Sequence, residues 1–217
     1  MQHLLKAPHR LMFFIGAGNL LLAMGWWAAW LASSRWPDAF SIAQPAQYAG
    51  WLHAFVMQYQ VLASFVFGFL LTAYPQFHHT KKTEPWETLV IVALVLAVGV
   101  SAALGSASLP QAGFLAALVF LLVAIARRLP ERRGAPPEEF LFVLAGFLFG
   151  IAGSAWGLLV ALGIAPEPAP RAPLRLLTHG MMLSIVLGMG GLLVPTFSAM
   201  RQPLEIPGIA RPGERRP

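Results

Sequence analysis

The sequence predicts an all-α, polytopic membrane helix bundle with six transmembrane helices. Of its 217 residues, 57% are hydrophobic and only 11% are charged, whereas a soluble domain carries about a quarter charged residues. The chain also contains uninterrupted apolar runs of about twenty residues, the length that crosses roughly 30 Å of hydrocarbon. The same composition excludes a disordered chain, a collagen and a coiled coil.

Six apolar segments have the length of a spanning helix, and prolines mark most of the connections between them. We expect a single transmembrane domain over residues 1–200 and a mobile cytoplasmic tail over residues 201–217. The fourth segment is the shortest, so it must begin near Pro110 or continue through Arg127 and Arg128 to span the bilayer. The predicted spans are Leu11–Ala32, His53–Tyr74, Thr88–Gly105, Ala112–Ala126, Phe140–Gly163 and Leu176–Ser198.

The basic residues predict that both termini lie in the cytoplasm, because cytoplasmic loops carry an excess of Lys and Arg. The net charge of +6 is therefore explained by topology, and we expect no nucleic-acid partner. We expect a multi-pass protein of the bacterial inner membrane, with an aromatic belt at the outer ends of the first two spans. The cytoplasmic side holds Lys6, Arg10, Lys81, Lys82, Arg127, Arg128, Arg132, Arg133, Arg201, Arg211, Arg215 and Arg216, and the outer side holds Arg35, Arg171 and Arg175.

Several classes of chemistry lack the residues that they need. The chain has no cysteine, which excludes disulfides, thiolate metal sites, iron–sulfur clusters and covalently attached c-type haem. The predicted spans contain no Asp or Glu, which argues against a proton or cation antiporter. No P-loop or hydrolase motif is present in the sequence. Histidine is therefore the residue type on which a site can be built.

Two histidines lie within the predicted spans, His53 at the start of the second and His179 in the sixth. Both spans run from outside to inside, so the two side chains are expected about 15 and 12 Å above the bilayer centre. Two imidazoles at one depth on parallel helices suit the axial ligands of a haem. Imidazole also binds copper. Alternatively, the histidines bind a quinone or contact partner helices.

Other polar side chains share the helical face of His53. Met57, Gln60 and Ser64 follow it at spacings of four, seven and eleven residues. We expect Met57 and Gln60 to contribute to the cofactor site. Hydrogen bonds between helices are the alternative explanation for Gln60 and Ser64.

Glycines mark one face of the fifth span, at spacings of four, three and four residues. Such a face lets a neighbouring helix, or a flat macrocycle, approach closely, and helix packing is the interpretation that we favour. Two adjacent histidines, His78 and His79, follow the cytoplasmic end of the second span and are expected to be solvated. The glycines are Gly146, Gly150, Gly153 and Gly157.

Residues 53–57 are His-Ala-Phe-Val-Met, and residues 68–75 are Gly-Phe-Leu-Leu-Thr-Ala-Tyr-Pro. These segments resemble the second helix of the NnrS family, in which His-Ala-His-Glu-Met precedes Gly-Phe-Leu-Leu-Thr-Ala and a proline. Residues 8–14, Pro-His-Arg-Leu-Met-Phe-Phe, are similar to the family's Pro-x-Arg-Pro-Phe-Phe at the start of helix one. The segment from His179-Gly180 to Gly188-Met189 is similar to a later family helix.

The resemblance implies a haem-containing bacterial membrane protein, with copper also associated with the family, that is linked to nitric oxide and nitrosative stress. By position, His53 takes the place of the family's first motif histidine. Phe55 and Val56 stand where the family has its second histidine and its glutamate. Arg10, within the helix-one motif, is a further candidate cofactor-binding residue. The family's members are typically longer, so the chain is expected to be a half-length relative or a subunit.

The leading hypothesis is a haem b protein in which His53 and His179 are both iron ligands, or in which one is the ligand and the other lies distal. Copper is a second expected cofactor. The alternative is a quinone-interacting or accessory membrane subunit of a respiratory complex that has no haem of its own. The expected partners are the lipid bilayer, nitric oxide or a quinone, and either a second copy of the chain or a respiratory-complex subunit.

Overall fold

The structure is a computed structural model that describes Leu4 and residues 7–45, 48–133, 137–166 and 172–197. Over these residues the chain is helical and contains no strand, and six helices are long and apolar enough to cross a membrane. The predicted fold class is thereby confirmed. The predicted tail, residues 201–217, and Ser198 at the end of the sixth predicted span lie outside the described residues.

The six helices, α1 to α6 in chain order, differ in regularity. Four of them are regular α-helices: α1 is Pro8–Arg35, α3 is Pro85–Ala103, α4 is Ser108–Ala126 and α5 is Phe140–Ala161. The other two each contain a π-helical segment. Helix α2 comprises Ala49–Val56, the π-helix Met57–Leu62 and Ala63–Phe77, and α6 comprises Ala172–Arg175, the π-helix Leu176–Met182 and Leu183–Phe197.

Helix α4 begins earlier than its most apolar stretch indicates. It starts at Ser108, two residues before Pro110, and ends at Ala126, so its 19 residues reach about 28 Å. Proline is tolerated there because the N–H groups in the first turn of a helix have no hydrogen-bond acceptor within the helix. The helix therefore reaches the length needed to span the bilayer because it begins earlier at its outer end, and it ends before Arg127.

Helix α3 also begins earlier than predicted, at Pro85 instead of Thr88. Glu84 and Glu87 form a capping box, in which each side chain accepts a hydrogen bond from the backbone of the other residue, with Glu87 Oε2 2.8 Å from the Glu84 nitrogen. Glu87 therefore lies in the first turn of a spanning helix. The prediction that the spans contain no acidic residue is wrong at this position.

Helices α3 and α5 end in the same way at the face that the predicted topology places outside; the terms outer and cytoplasmic follow that prediction throughout. Gly105 and Gly163 each stand two residues past the last helical residue, with φ of 80° and 69°. Glycine adopts this left-handed conformation without steric cost and so ends a helix sharply. The two turns close the outer ends of both helices within a few residues.

Helix α2 is the central helix of the bundle. The buried share of its most apolar 18-residue window is 67%, against 17% for the corresponding window of α1. It packs against α1 and α3 and more lightly against α4, whereas α6 packs against α5. Helices α2 and α6, which carry His53 and His179, therefore belong to different parts of the bundle and meet through a few side chains.

Candidate functional site

The two helices that carry the candidate ligands are also the two that contain π-helical segments. The π-helix of α2 begins four residues after His53, and that of α6 includes His179. A π-helical turn adds a residue to the turn and is frequent at functional sites, because it changes the direction in which the following side chains point. Both candidate histidines therefore lie at local departures from regular helix.

His53 is half-buried, and its ring is held by the tryptophans of α1. The imidazole stacks on Trp27 with ring centroids 4.5 Å apart and planes at 17°, and Trp27 stacks in turn on Trp30 at 5.0 Å. The Nδ1 atom of His53 is buried and has no hydrogen-bond partner in the described part of the chain. A buried polar atom without a partner costs free energy. His78 Nε2 is also buried without a partner in the described part of the chain, but His53 is the one of the two that lies within a predicted span, and this makes it the candidate ligand.

One polar contact joins α2 to α6 at this level. The Thr178 hydroxyl lies 2.9 Å from Gln58 Oε1 and 2.8 Å from the Leu174 carbonyl oxygen of its own helix. Gln58 Nε2 is buried without a partner, and exchanging the two amide atoms would leave the oxygen unpartnered instead. The junction between the two π-helices thus holds a second buried polar atom with unused hydrogen-bonding capacity.

His179 is next to this contact in the sequence, but its side chain is exposed and makes no hydrogen bond or ring contact with the other candidate residues in the described part of the chain. The next residue, Gly180, lies so close to α5 that an added Cβ would be 2.7 Å from Phe149 Cγ. Because Gln58 comes five residues after His53, the Gln58–Thr178 contact lies about 7 Å deeper along α2 than His53.

We use the name histidine junction for His53, Trp27, Gln58, Thr178 and His179. Of these, sequence reasoning singled out only the histidines as candidate cofactor residues. The signal for Trp27 was its place in the tryptophan cluster at the outer end of α1. The partner of Gln58 could not be found in the same way, because Thr178 comes from a helix 120 residues later.

The other predicted residues on this face of α2 have different surroundings. Met57 is half-buried one turn below His53, whereas Gln60 and Ser64 are buried. Gln60 Nε2 donates to the Val95 carbonyl of α3 at 2.5 Å, and its Oε1 accepts from Asn19 of α1 at 3.3 Å. Hydrogen bonding between helices therefore accounts for Gln60. The Ser64 hydroxyl donates to the carbonyl of Gln60 within α2.

Arg10 lies at the opposite end of α1 from the histidine junction. It is the third residue of a helix that begins at Pro8, and Trp27 comes 17 residues later, about 25 Å along the axis. The structure therefore does not bring Arg10 together with His53.

The glycine face of α5 serves helix packing, as favoured above. An added Cβ at Gly146 would meet Ile185, one at Gly150 would meet Met181, and one at Gly153 would meet Leu177, all in α6. Gly157 faces Gln111 of α4 instead. The stripe thus lets α6 approach α5 closely along three turns.

An open cavity of about 870 Å³ lies at the outer ends of α2, α4, α5 and α6. Neither His53 nor His179 lines this outer cavity. The outer part of the bundle therefore has two separate features, the histidine junction and the outer cavity.

The cytoplasmic end contains a buried ion pair that was not predicted. Arg128 donates to both carboxylate oxygens of Glu87, at 3.0 and 2.5 Å, and also to the carbonyls of Lys81 and Ala124 at 3.0 and 2.6 Å. The two side chains are 9% and 3% exposed. The signal that could have located Glu87 is the capping-box pattern Glu84-x-x-Glu87 after Thr83.

His78 is buried, contrary to the expectation for adjacent loop histidines. Its ring lies between those of Tyr74 and Phe140, with centroids 4.4 and 5.0 Å away, and its carbonyl accepts from the Arg133 nitrogen. Burial lowers the pKa of His78, and the charges of Arg132 and His79 lower it further. His79 is exposed, as predicted.

The described residues differ in how well they suit the two expected cofactors. His53 offers an imidazole with an unpartnered buried nitrogen, which fits one axial position of a haem. In the described part of the chain, no three His, Asp or Glu side chains are close enough together to hold a metal ion such as copper.

The fold and the histidine junction define a multi-pass helical membrane protein with a polar contact between two π-helical spans. The chain belongs to the NnrS family, since the family model described as NnrS protein matches residues 3–212, nearly the whole chain. Membership supports a membrane protein linked to nitric oxide. No curated protein and no solved structure matches the chain.

Proposed function

We propose that the chain is a haem b protein of the bacterial inner membrane that acts in nitric oxide metabolism, with the haem held between α2 and α6 near the outer face. His53 is the proposed iron ligand. The observation that carries the proposal is the buried, unpartnered Nδ1 of His53, on a ring whose plane is set by Trp27. When bound, haem iron supplies a centre that binds nitric oxide or carries electrons.

The residues of the histidine junction have distinct roles in this proposal. Trp27 orients the imidazole of His53, as partners outside the coordination shell do in metal sites. Gln58 and Thr178 connect α2 and α6 about 7 Å deeper than His53. Met57 lies one turn below the ligand and contributes an apolar wall. Arg10 lies too far away to take part.

His179 decides which of two activities the site supports. Two histidine ligands fill both axial positions and suit electron transfer, whereas His53 alone leaves one position for nitric oxide. We favour His53 as the iron ligand, because its imidazole is held in place by Trp27 whereas the imidazole of His179 is exposed.

The test is an absorption spectrum of the detergent-purified protein after expression with a haem precursor, oxidised and dithionite-reduced, with and without nitric oxide. We expect a Soret band that His53→Ala abolishes or shifts. We also expect the band to shift with nitric oxide if His53 is the only protein ligand. The matched control is His79→Ala, an exposed histidine at the cytoplasmic end. A His53→Ala spectrum identical to that of the unaltered protein would remove His53 from the site.

The second candidate function is a quinone-interacting or accessory subunit without its own haem. The outer cavity favours this second function, because the cavity is large and mainly apolar and is lined by neither His53 nor His179. This function predicts a protein without a Soret band even after haem supplementation, so the same spectrum separates the two candidates.

A further inference from the structure

The outer cavity is lined by residues of four helices. Along α2 the lining extends from Tyr48 and Gly50, at the outer end, to Tyr59, and we call this innermost part, with Gln111, the floor. Tyr59 comes nine residues after Gly50, so the cavity is about 13 Å deep measured along α2. Its volume of about 870 Å³ falls within the range of sites for drug-sized molecules.

The wall formed by α2 is aromatic. Trp51, Phe55 and Tyr59 line the cavity at successive turns, and their rings stack with centroids 5.1 and 4.0 Å apart and planes within 22° of each other. Small residues of α5, Gly157 and Ala161, form the facing wall. No charged side chain is found among the described residues that line the cavity. The lining therefore suits a neutral, largely apolar molecule.

A single amide gives the floor its polarity. Gln111 Oε1 accepts a hydrogen bond from the Tyr59 hydroxyl at 3.0 Å, which fixes the side chain of Gln111. With Oε1 facing Tyr59, the amide nitrogen of Gln111 has no hydrogen-bond partner in the described part of the chain, and Gln111 lines the cavity. The floor thus presents a hydrogen-bond donor to a ligand, and the matching group is a carbonyl oxygen.

We propose that the outer cavity binds the ring of a membrane quinone, with a quinone carbonyl accepting a hydrogen bond from the amide nitrogen of Gln111. A quinone ring is neutral and flat and carries carbonyl acceptors, which are the three properties that the walls and floor select. The cavity lies between the outer ends of four spanning helices. Binding at this site does not depend on the haem proposal, because no residue of the histidine junction lines the cavity.

The experiment is a titration of the purified protein in lipid nanodiscs with decylubiquinone, and photolabelling with an azido-ubiquinone followed by peptide mapping. We expect saturable binding and labels on the segments that line the cavity. Ala161→Phe fills the cavity and should weaken binding at least tenfold. The double variant Tyr59→Phe with Gln111→Leu removes both hydrogen-bonding partners together and should weaken it about tenfold.

Leu159→Phe, an exposed position on the same helix, is the matched control and should bind like the unaltered protein. The Soret band of every variant is recorded, so loss of quinone binding is distinguished from loss of haem. The proposal is overturned by absence of saturable binding, by an Ala161→Phe protein that binds normally, or by labels confined to other segments. Competition by decanol as strong as by decylubiquinone would also overturn it, because the cavity would then select only an alkyl chain.

Discussion

The outer and cytoplasmic ends of the bundle differ in the polar contacts that hold their helices together. At the cytoplasmic end, Arg128 satisfies both oxygens of Glu87 and closes the α2–α3 connection by donating to the Lys81 carbonyl. At the outer end, His53 Nδ1 and Gln58 Nε2 are buried without partners, and the outer cavity is open. The cytoplasmic end also contains buried polar atoms without a partner among the described residues, namely Tyr74 Oη, His78 Nε2 and Thr80 Oγ1. What distinguishes the outer end is its open cavity and, in the described part of the chain, the lack of a buried ion pair between its helices.

The largest loss of stability is expected when the buried ion pair of Glu87 and Arg128 is disrupted. Arg128→Met leaves the Glu87 carboxylate buried without a counter-charge, and we expect it to destabilise the protein by about 3–5 kcal/mol. Thermal unfolding in detergent measures the effect. The double variant Glu87→Gln with Arg128→Met should be less destabilised than Arg128→Met, because no buried charge remains.

The matched control for that experiment is the exposed pair of Lys81 and Glu84. Lys81→Ala should leave the unfolding temperature unchanged, since exposed ion pairs are solvated and screened. An Arg128→Met protein as stable as Lys81→Ala would show that the cytoplasmic end is not held by the buried pair.

A smaller effect is expected from His78, a histidine buried at the cytoplasmic end. Its pKa is lowered in the folded protein from the ordinary value of 6.5, first by burial and then by Arg132 and His79. Below the ordinary value the unfolded chain therefore binds more protons than the folded chain, so stability is present above pH 6.5 and decreases as the pH falls.

His78→Phe keeps an aromatic ring between Tyr74 and Phe140 and removes the titration. We expect it to unfold with a weaker pH dependence between pH 7 and pH 5, measured by the unfolding temperature across that range. The comparison variant is His79→Asn at an exposed residue with φ of 53°, a conformation that asparagine tolerates. It removes the smallest of the three causes that lower the pKa of His78, so most of the pH dependence should remain. Equal pH dependence in His78→Phe and the unaltered protein would show that titration of His78 does not cause the loss of stability at low pH.

The fold was predictable because it depends on composition and on the length of apolar runs, which the sequence states directly. The close contact of α5 with α6 was also predictable, since Gly146, Gly150 and Gly153 fall on one face by helical spacing alone. The exposure of His179 was not predictable, because the π-helix of α6 adds a residue to the turn and changes the direction of the side chains. The burial of His78 depends on Phe140, which comes from a distant helix.

The smallest effect on stability is expected at the histidine junction. The double variant Gln58→Leu with Thr178→Val removes the contact between α2 and α6 from both sides, and it also removes the unpartnered atom of Gln58. Replacing both partners by apolar groups is nearly neutral, so the unfolding temperature should change far less than in Arg128→Met. The haem spectrum should change nonetheless, because the two helices that hold the proposed site lose their polar contact. A large loss of stability with an unaltered spectrum would show that the contact between Gln58 and Thr178 stabilises the fold and does not support the haem site. A normal unfolding temperature with a shifted Soret band would place function at the outer end of the bundle, where the helices are joined by this weak contact and not by a buried ion pair.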